Sequence, residues 1–331
     1  MTINAACLAQ DYWQRYYDPD EIEDVVAHTV TSMITSGRYP IHVRLWQQSE
    51  PASTVVIGSS VLSYGLHLVR LQAPFFHAGF NVVQFDFPGI GQSGGPRGGC
   101  TVPEFLDAWR QALAFAGERF GTPLYIVGVG EDGVTGYYVG ANRPDVAAIS
   151  VRMLVEYGQP GMVQGQGPFW LVRTKAIGTR ICAFLRPSTE LDARKTIRWD
   201  WVFSGVDDGP RIELLANDPL SLRRMQLKMA SSILQRHIPP VPYEQCRTPV
   251  QVIASTANLV CPFELASANY ARLGGPKDFV IQEGIGQWQL DRGFNETYCA
   301  HVIRWFDEHD AKRTARERVS SLSELSSSES D

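Results

Sequence analysis

The chain has 331 residues, of which 44% are hydrophobic and 20% charged, as is ordinary for a soluble globular protein. Its net charge of −5 gives no electrostatic reason to expect a nucleic acid or an anionic membrane as a partner. No basic leader or membrane-length apolar run is recognisable, so neither a signal peptide nor a membrane span is expected. The six cysteines have no CxxC spacing, which predicts free thiols and a cytoplasmic location.

The first predicted element is a helix over residues 19–36, because acidic residues fill its first turn and apolar residues recur at helical spacing. Residues 1–38 are therefore predicted to form an N-terminal helical extension. Alternating strands and helices follow. Strands are predicted over residues 39–47, 54–57, 81–85, 124–127, 146–151, 249–254 and 279–282. Helices are predicted over residues 60–77, 102–120, 134–142 and 295–309. This alternation predicts an α/β fold, with a mostly parallel central sheet and helices on both faces.

The strand–helix rhythm is interrupted once and lost at the carboxyl end. In residues 152–247 the predicted segments are longer, partly helical and rich in aromatic side chains. This pattern predicts a largely helical cap over the sheet. The core then comprises residues 39–151 and 248–310. Residues 311–331 become rich in serine and acidic residues and poor in apolar ones, so this tail is predicted to be disordered.

Motifs in the predicted core resemble those of the α/β-hydrolase superfamily, in the family's order and over about residues 40–310. Residues 58–60 (GSS) stand at the family's oxyanion loop, and residues 86–93 (DFPGIGQS) match its D-x-P-G-x-G-x-S loop. Residues 125–133 (YIVGVGEDG) stand at the nucleophile elbow. Residues 254–262 stand at the acid loop, and residues 283–287 at the histidine loop. The resemblance implies an α/β-hydrolase fold with a cap.

The resemblance also implies that the Ser-His-Asp triad is replaced. Counting back from the A-N-R-P-D helix ending at residues 141–145, which is frequent in the family, puts Gly130 at the nucleophile position. Asn258 stands where the family has its acid, and Gln287 where it has its histidine. Glycine cannot form an acyl intermediate, asparagine cannot stabilise an imidazolium by charge, and glutamine cannot act as a general base.

Two acids at the elbow leave alternatives open. In a shifted register Glu131 or Asp132 would be a carboxylate nucleophile, as in dehalogenases and epoxide hydrolases, although Gln287 denies it the histidine that such enzymes use. The two acids could instead simply begin a helix, where negative charge is favourable. They could also transfer protons, because an apolar cavity raises the pKa of a carboxyl group.

Further candidates would contact the ligand, with ordinary packing as the alternative for each. They are Ser59, Ser60, Tyr64 and His67 at the oxyanion loop, Trp288 at the histidine loop, and Tyr157 and Trp170 in the cap region. The aromatic cap favours a bulky, apolar small molecule as ligand. The G-x-G-x-x-G at residues 128–133 follows several strands, unlike a dinucleotide fingerprint. No cluster has metal-ligand spacing, so neither a cofactor nor a metal is expected. The oligomeric state stays open, a homodimer included.

Three functions remain as hypotheses. The leading one is a nonhydrolytic, cofactor-independent cyclase, lyase or decarboxylase, as known in natural-product pathways of this superfamily. It would act by positioning its substrate and by hydrogen bonds to an oxyanion from the N–H of Glu131 and of the Ser59–Ser60 turn. The second is a catalytically dead pseudo-hydrolase that binds a ligand or a protein. The third is a divergent hydrolase or acyltransferase with an acidic or displaced nucleophile.

Overall fold

The computed structural model describes residues 13–121, 123–159, 162, 169–196, 199–203 and 209–310. The predicted disordered tail, the first part of the N-terminal extension and the side chain of Trp170 lie outside what it describes.

The N-terminal segment forms a helix and then a strand. Helix α1 spans Pro19–His28, and the Glu21 carboxylate accepts the backbone N–H of Asp18 at 2.8 Å. The prediction of a helix over residues 19–36 is wrong beyond His28, because strand β1 spans Thr29–Ser36. Five of its eight residues are β-branched, which favours a strand, and buried and exposed positions largely alternate along it. Gly37, with φ 56°, turns the chain into the hairpin partner of β1, strand β2 Tyr39–Trp46.

An eight-stranded, mostly parallel sheet forms the centre, as predicted. The other strands of this sheet are β3 Thr54–Gly58, β4 Asn81–Phe85, β5 Leu124–Gly128, β6 Val146–Val151, β9 Val250–Ser255 and β10 Lys277–Gln282. The order in the sheet is β1-β2-β4-β3-β5-β6-β9-β10, with β2 antiparallel to both neighbours and all later pairs parallel. Every residue of β3, β4 and β5 is buried, as expected of central strands covered on both faces.

Helices pack around this sheet in pairs. Helix α2 spans Val69–His77 and packs against the last helix, α11 Arg292–Glu308. Helix α3 spans Val102–Phe120 and packs against α4 Glu131–Gly140. Helix α10, Phe263–Arg272, connects β9 to β10. Within the part of the chain that is described, no helix is long and apolar enough to cross a membrane.

The described part of residues 152–247 is mostly helical. It contains α5 Phe169–Leu185, α6 Ala193–Thr196, α7 Trp199–Val202, α8 Gly209–Asn217 and α9 Leu227–Leu234, with an antiparallel ribbon of β7 Glu190–Asp192 and β8 Arg224–Gln226. Backbone hydrogen bonds tie this segment to loops that follow β4 and β10. Gly91 donates to the carbonyl of Leu220 at 3.0 Å, and Trp288 to that of Val202 at 3.0 Å. The segment therefore lies over the carboxyl ends of these strands, where ligands bind in open α/β sheets.

Candidate functional site

A tight turn joins β5 to α4 at the predicted elbow. Val129 and Gly130 form the turn, and Gly130 caps the helix. A Cβ on Gly128 would lie 2.1 Å from the Cα of Gly133, so the close approach of strand and helix requires glycine there. A Cβ on Gly130 would meet only Asp132 Oδ1 and the Cβ of Ser60, each at 3.4 Å. The elbow therefore has room for a side chain at Gly130 that the sequence does not supply.

A chain of uncharged groups leads from the acid loop to the elbow. Asn258 Nδ2 donates to Gln287 Oε1 at 2.6 Å, and Gln287 Nε2 donates to the carbonyl oxygen of Val129. Asn258 Oδ1 accepts the backbone N–H groups of Val260 and Cys261 at 2.9 and 3.0 Å. Both amide side chains are buried, and their oxygens and at least one N–H of each are bonded. The fold thus brings Gly130, Asn258 and Gln287 together.

A buried arginine holds the loop that carries Gln287. Arg152, directly after β6, donates to the carbonyls of Gln287 and Gly286 and to the side chains of Gln282 and Ser255. Burial lowers the pKa of Arg152 to about 10, so it stays protonated at neutral pH. Its guanidinium also lies within 6.0 Å of three ring centroids, those of Trp288, Phe294 and Tyr298. Sequence reasoning missed Arg152, although an arginine directly after a buried apolar strand was a signal.

The two acids of the elbow have different roles. The carboxylate of Asp132 accepts the backbone N–H groups of Val129 and Gly130 at 3.0 and 2.7 Å, so it fastens the turn. Burial raises the pKa of Asp132 to about 7. Burial also raises the pKa of Glu131, against the smaller, opposing effect of hydrogen bonds from its own N–H and that of Val61. The Glu131 carboxyl therefore lies near one of the two N–H donors expected to bind an oxyanion, and near the N–H of Val61, next to the other.

A small cavity lies between the elbow and the cap segment. Its volume is about 80 Å³. The predicted site residues that line it are Ser60, His67, Gly130, Glu131, Gln287 and Trp288. The others are Leu62, Ser63, Leu68, Val129, Met153, Val260 and Leu290, with Val202, Phe203 and Leu215 from the cap segment. Ligand pockets are usually ~300–1,000 Å³, so a bulky ligand would have to displace part of this wall.

Three predicted ligand contacts lie outside the lining. The Ser59 hydroxyl accepts the backbone N–H of Phe87 at 2.7 Å and so ties two loops together. The Tyr64 hydroxyl donates to Asp218 at 3.0 Å. Tyr157 is buried with its backbone paired to His237. Each of the three therefore packs within the protein wall rather than at the cavity surface.

His67 forms a buried cluster with a carboxylate that sequence reasoning missed. His67 Nε2 lies 3.2 Å from Asp218 Oδ2, the oxygen that Tyr64 also reaches, and Asp218 Oδ1 accepts the N–H of Leu220 at 2.7 Å. Burial lowers the pKa of His67, and the carboxylate opposes this effect. The ring is therefore neutral at pH 7. A proton on Nε2, bonded to Asp218, leaves Nδ1 as an acceptor with no hydrogen-bond partner among the described residues.

Comparisons with known proteins support the fold. No protein-family model matches the chain, and no curated protein matches its sequence. Among solved structures, a Paleococcus ferrophilus monoacylglycerol lipase is 17% identical with a TM-score of 0.62, covering 82% of this chain and 99% of that one. A soluble variant of Saccharomyces cerevisiae monoglyceride lipase, in complex with a substrate analog, is 13% identical with a TM-score of 0.66, covering 86% and 96%. A Bacillus coagulans carboxyl esterase is 12% identical with a TM-score of 0.67, covering 85% and 99%. The chain therefore has the α/β-hydrolase fold that its motifs predict.

Proposed function

We propose that this protein is a nonhydrolytic, cofactor-independent enzyme that transfers protons on a small apolar molecule. The observation that carries the proposal is the uncharged chain from Asn258 through Gln287 to the backbone carbonyl of Val129. A hydrolytic triad would end this chain on a nucleophile and have a titratable base in the middle. Here the middle group cannot accept a proton at neutral pH, and the neighbouring Gly130 has no side chain.

Two titratable groups of the cavity support proton transfer in place of hydrolysis. Glu131 has a raised pKa, so a fraction of its carboxyl stays protonated nearer to neutral pH and can donate. His67 is neutral and oriented by Asp218, so its ring can accept. A donor and an acceptor in one water-poor cavity suit proton abstraction and return. Cyclisation, elimination and decarboxylation are the reaction classes that need only these groups and positioning.

The size of the cavity limits the substrate. At about 80 Å³ it holds roughly two or three molecules of water by liquid volume. Val202, Phe203 and Leu215 line it from the cap side, so a bulky apolar substrate requires part of this wall to move outward. Movement of a lid to admit substrate is common in enzymes.

Two probes test the proposal on the purified protein. We expect no turnover of nitrophenyl butyrate and no covalent labelling by a fluorophosphonate. We expect base-catalysed ring opening of 5-nitrobenzisoxazole, followed as nitrophenolate absorbance. General-base catalysis contributes about 10²–10⁴-fold, so His67→Gln should lose roughly 100-fold of the rate. The matched control is His28→Gln, which removes an imidazole far from the cavity. A fluorophosphonate label on Ser60 would overturn the proposal, because it would indicate a displaced serine nucleophile beside His67.

A second candidate is a pseudo-hydrolase that binds a small ligand without turnover. The position of the Glu131 carboxyl favours it, because this group lies where it competes with an oxyanion for N–H donors. Glu131→Gln distinguishes the two candidates. If the protein is an enzyme, the Glu131→Gln change removes the acid and lowers the rate of the benzisoxazole reaction or of a substrate reaction. In a binding protein, a ligand that raises the melting temperature forms no product in either variant.

A further inference from the structure

An exposed apolar ridge runs along helix α5 of the cap segment. It consists of Ile177, Ile181, Phe184 and Leu185, whose side chains are 50%, 56%, 88% and 70% exposed. Their spacing of four, three and one residues places them on one stripe of the helix. Ala183 is buried and α9 packs against α5, so another face of the helix contacts the protein. Such a cluster of large apolar side chains in water marks an interaction surface.

The helix that carries the ridge has charged residues of one sign only. Helix α5 contains Arg173, Lys175 and Arg180, Arg186 follows it directly, and the segment has no acidic residue, so these four cations give it a net charge of +4. The whole chain has a net charge of −5, so the rest of the protein carries −9. Arg180 and Arg186 are exposed beside the apolar residues. A basic segment with an exposed apolar stripe, in an otherwise acidic protein, selects an anionic apolar surface.

We propose that this ridge docks on an anionic lipid surface. The four apolar side chains would enter the boundary between headgroups and acyl chains, and the arginines would reach the lipid phosphates. A second copy of this chain fits less well, because a symmetric contact would bring the same arginines of two copies together. The docking is peripheral and reversible. The proposal does not depend on which reaction the cavity performs.

Co-sedimentation of the full chain with vesicles tests the proposal. We expect binding to vesicles of equimolar phosphatidylcholine and phosphatidylglycerol, little binding to pure phosphatidylcholine, and weakening at high salt. The double variant Phe184→Ser, Leu185→Ser should weaken binding tenfold or more. Arg180→Gln with Arg186→Gln should abolish the preference for the anionic lipid.

Matched controls distinguish docking from nonspecific hydrophobic binding and from misfolding. Val30→Ser with Met33→Ser removes two apolar side chains that are 52% and 48% exposed on β1, and it should bind like the wild type. All variants should melt at the wild-type temperature, because the changed side chains are exposed. Absence of sedimentation, equal binding to both vesicles, or binding that ignores the ridge variants would each overturn the proposal. A dimer in sedimentation equilibrium that only the Phe184 and Leu185 changes dissolve would show that a second copy covers the ridge.

Discussion

Replacing Arg152 with methionine tests how the loop that carries Gln287 is held. Methionine fills a similar apolar volume but donates no hydrogen bond, so four buried acceptors lose their donor. An unsatisfied buried group costs about 1–3 kcal/mol. Part of this is offset, because a buried cation that has no carboxylate partner among the described residues no longer has to be desolvated. We expect the free energy of unfolding to fall by about 3 kcal/mol, the balance of these effects.

Urea unfolding followed by circular dichroism measures this difference through the transition midpoint. The matched control is Arg143→Met, which breaks a partly exposed ion pair with Asp145 at 2.6 Å and should cost about 1 kcal/mol or less. Arg152→Lys should recover little of the loss, because one ammonium group cannot reach acceptors that a guanidinium fork spans. If Arg152→Met were no less stable than Arg143→Met, the loop would not depend on this arginine.

Three further outcomes follow from the site. The pKa of Asp132 is raised to about 7, so its stabilising protonated form is fully present below about pH 4 and lost as pH rises through 7. The free energy of unfolding should fall over that interval by up to about 4 kcal/mol, and Asp132→Asn should flatten the profile in urea titrations at several pH values. Gly130→Ser should be labelled by a fluorophosphonate only together with Asn258→Asp and Gln287→His, because only the triple variant regains a base oriented by an acid. Among the described thiols, Cys182 alone is exposed and should react with a disulfide reagent before the protein unfolds.

The centre of the sheet could be predicted because each central strand carries its own signal. The runs around Val55, Val83 and Ile126 are short, β-branched and bounded by turn residues, so their bounds agree with the structure to within one residue. The prediction was wrong for residues 29–36, because the local pattern there favours a helix. Their apolar side chains, Val30, Met33 and Ile34, recur at the helical spacing of i, i+3 and i+4, and the pairing with β2 that makes this segment a strand is not local.

Part of the candidate site could likewise be predicted from the sequence, and part could not. The family's motif order led to Asn258 and Gln287, which hydrogen-bond across 29 residues of sequence. Asp218 lies 151 residues from His67, within a cap segment that has no motif, so nothing local indicated that the two would meet. Nearness to the oxyanion loop predicts that Tyr64 lies at the cavity, which is wrong. A 3₁₀ turn follows it, and three residues per turn place Tyr64 and His67 on one side, where both reach Asp218.

The origin of the His67–Asp218 pair matters for the proposed reaction, because its two members come from different parts of the fold. His67 belongs to the core turn after β3, and Asp218 follows α8 in the cap segment. An outward movement of the cap segment as one body would draw Asp218 away from His67, and it would break the hydrogen bond from the N–H of Gly91 to the carbonyl of Leu220. The imidazole would then lose its orientation while the cavity is open and regain it on closure. Under the proposed function, proton transfer would thus be confined to the closed state, in which water is excluded from the cavity.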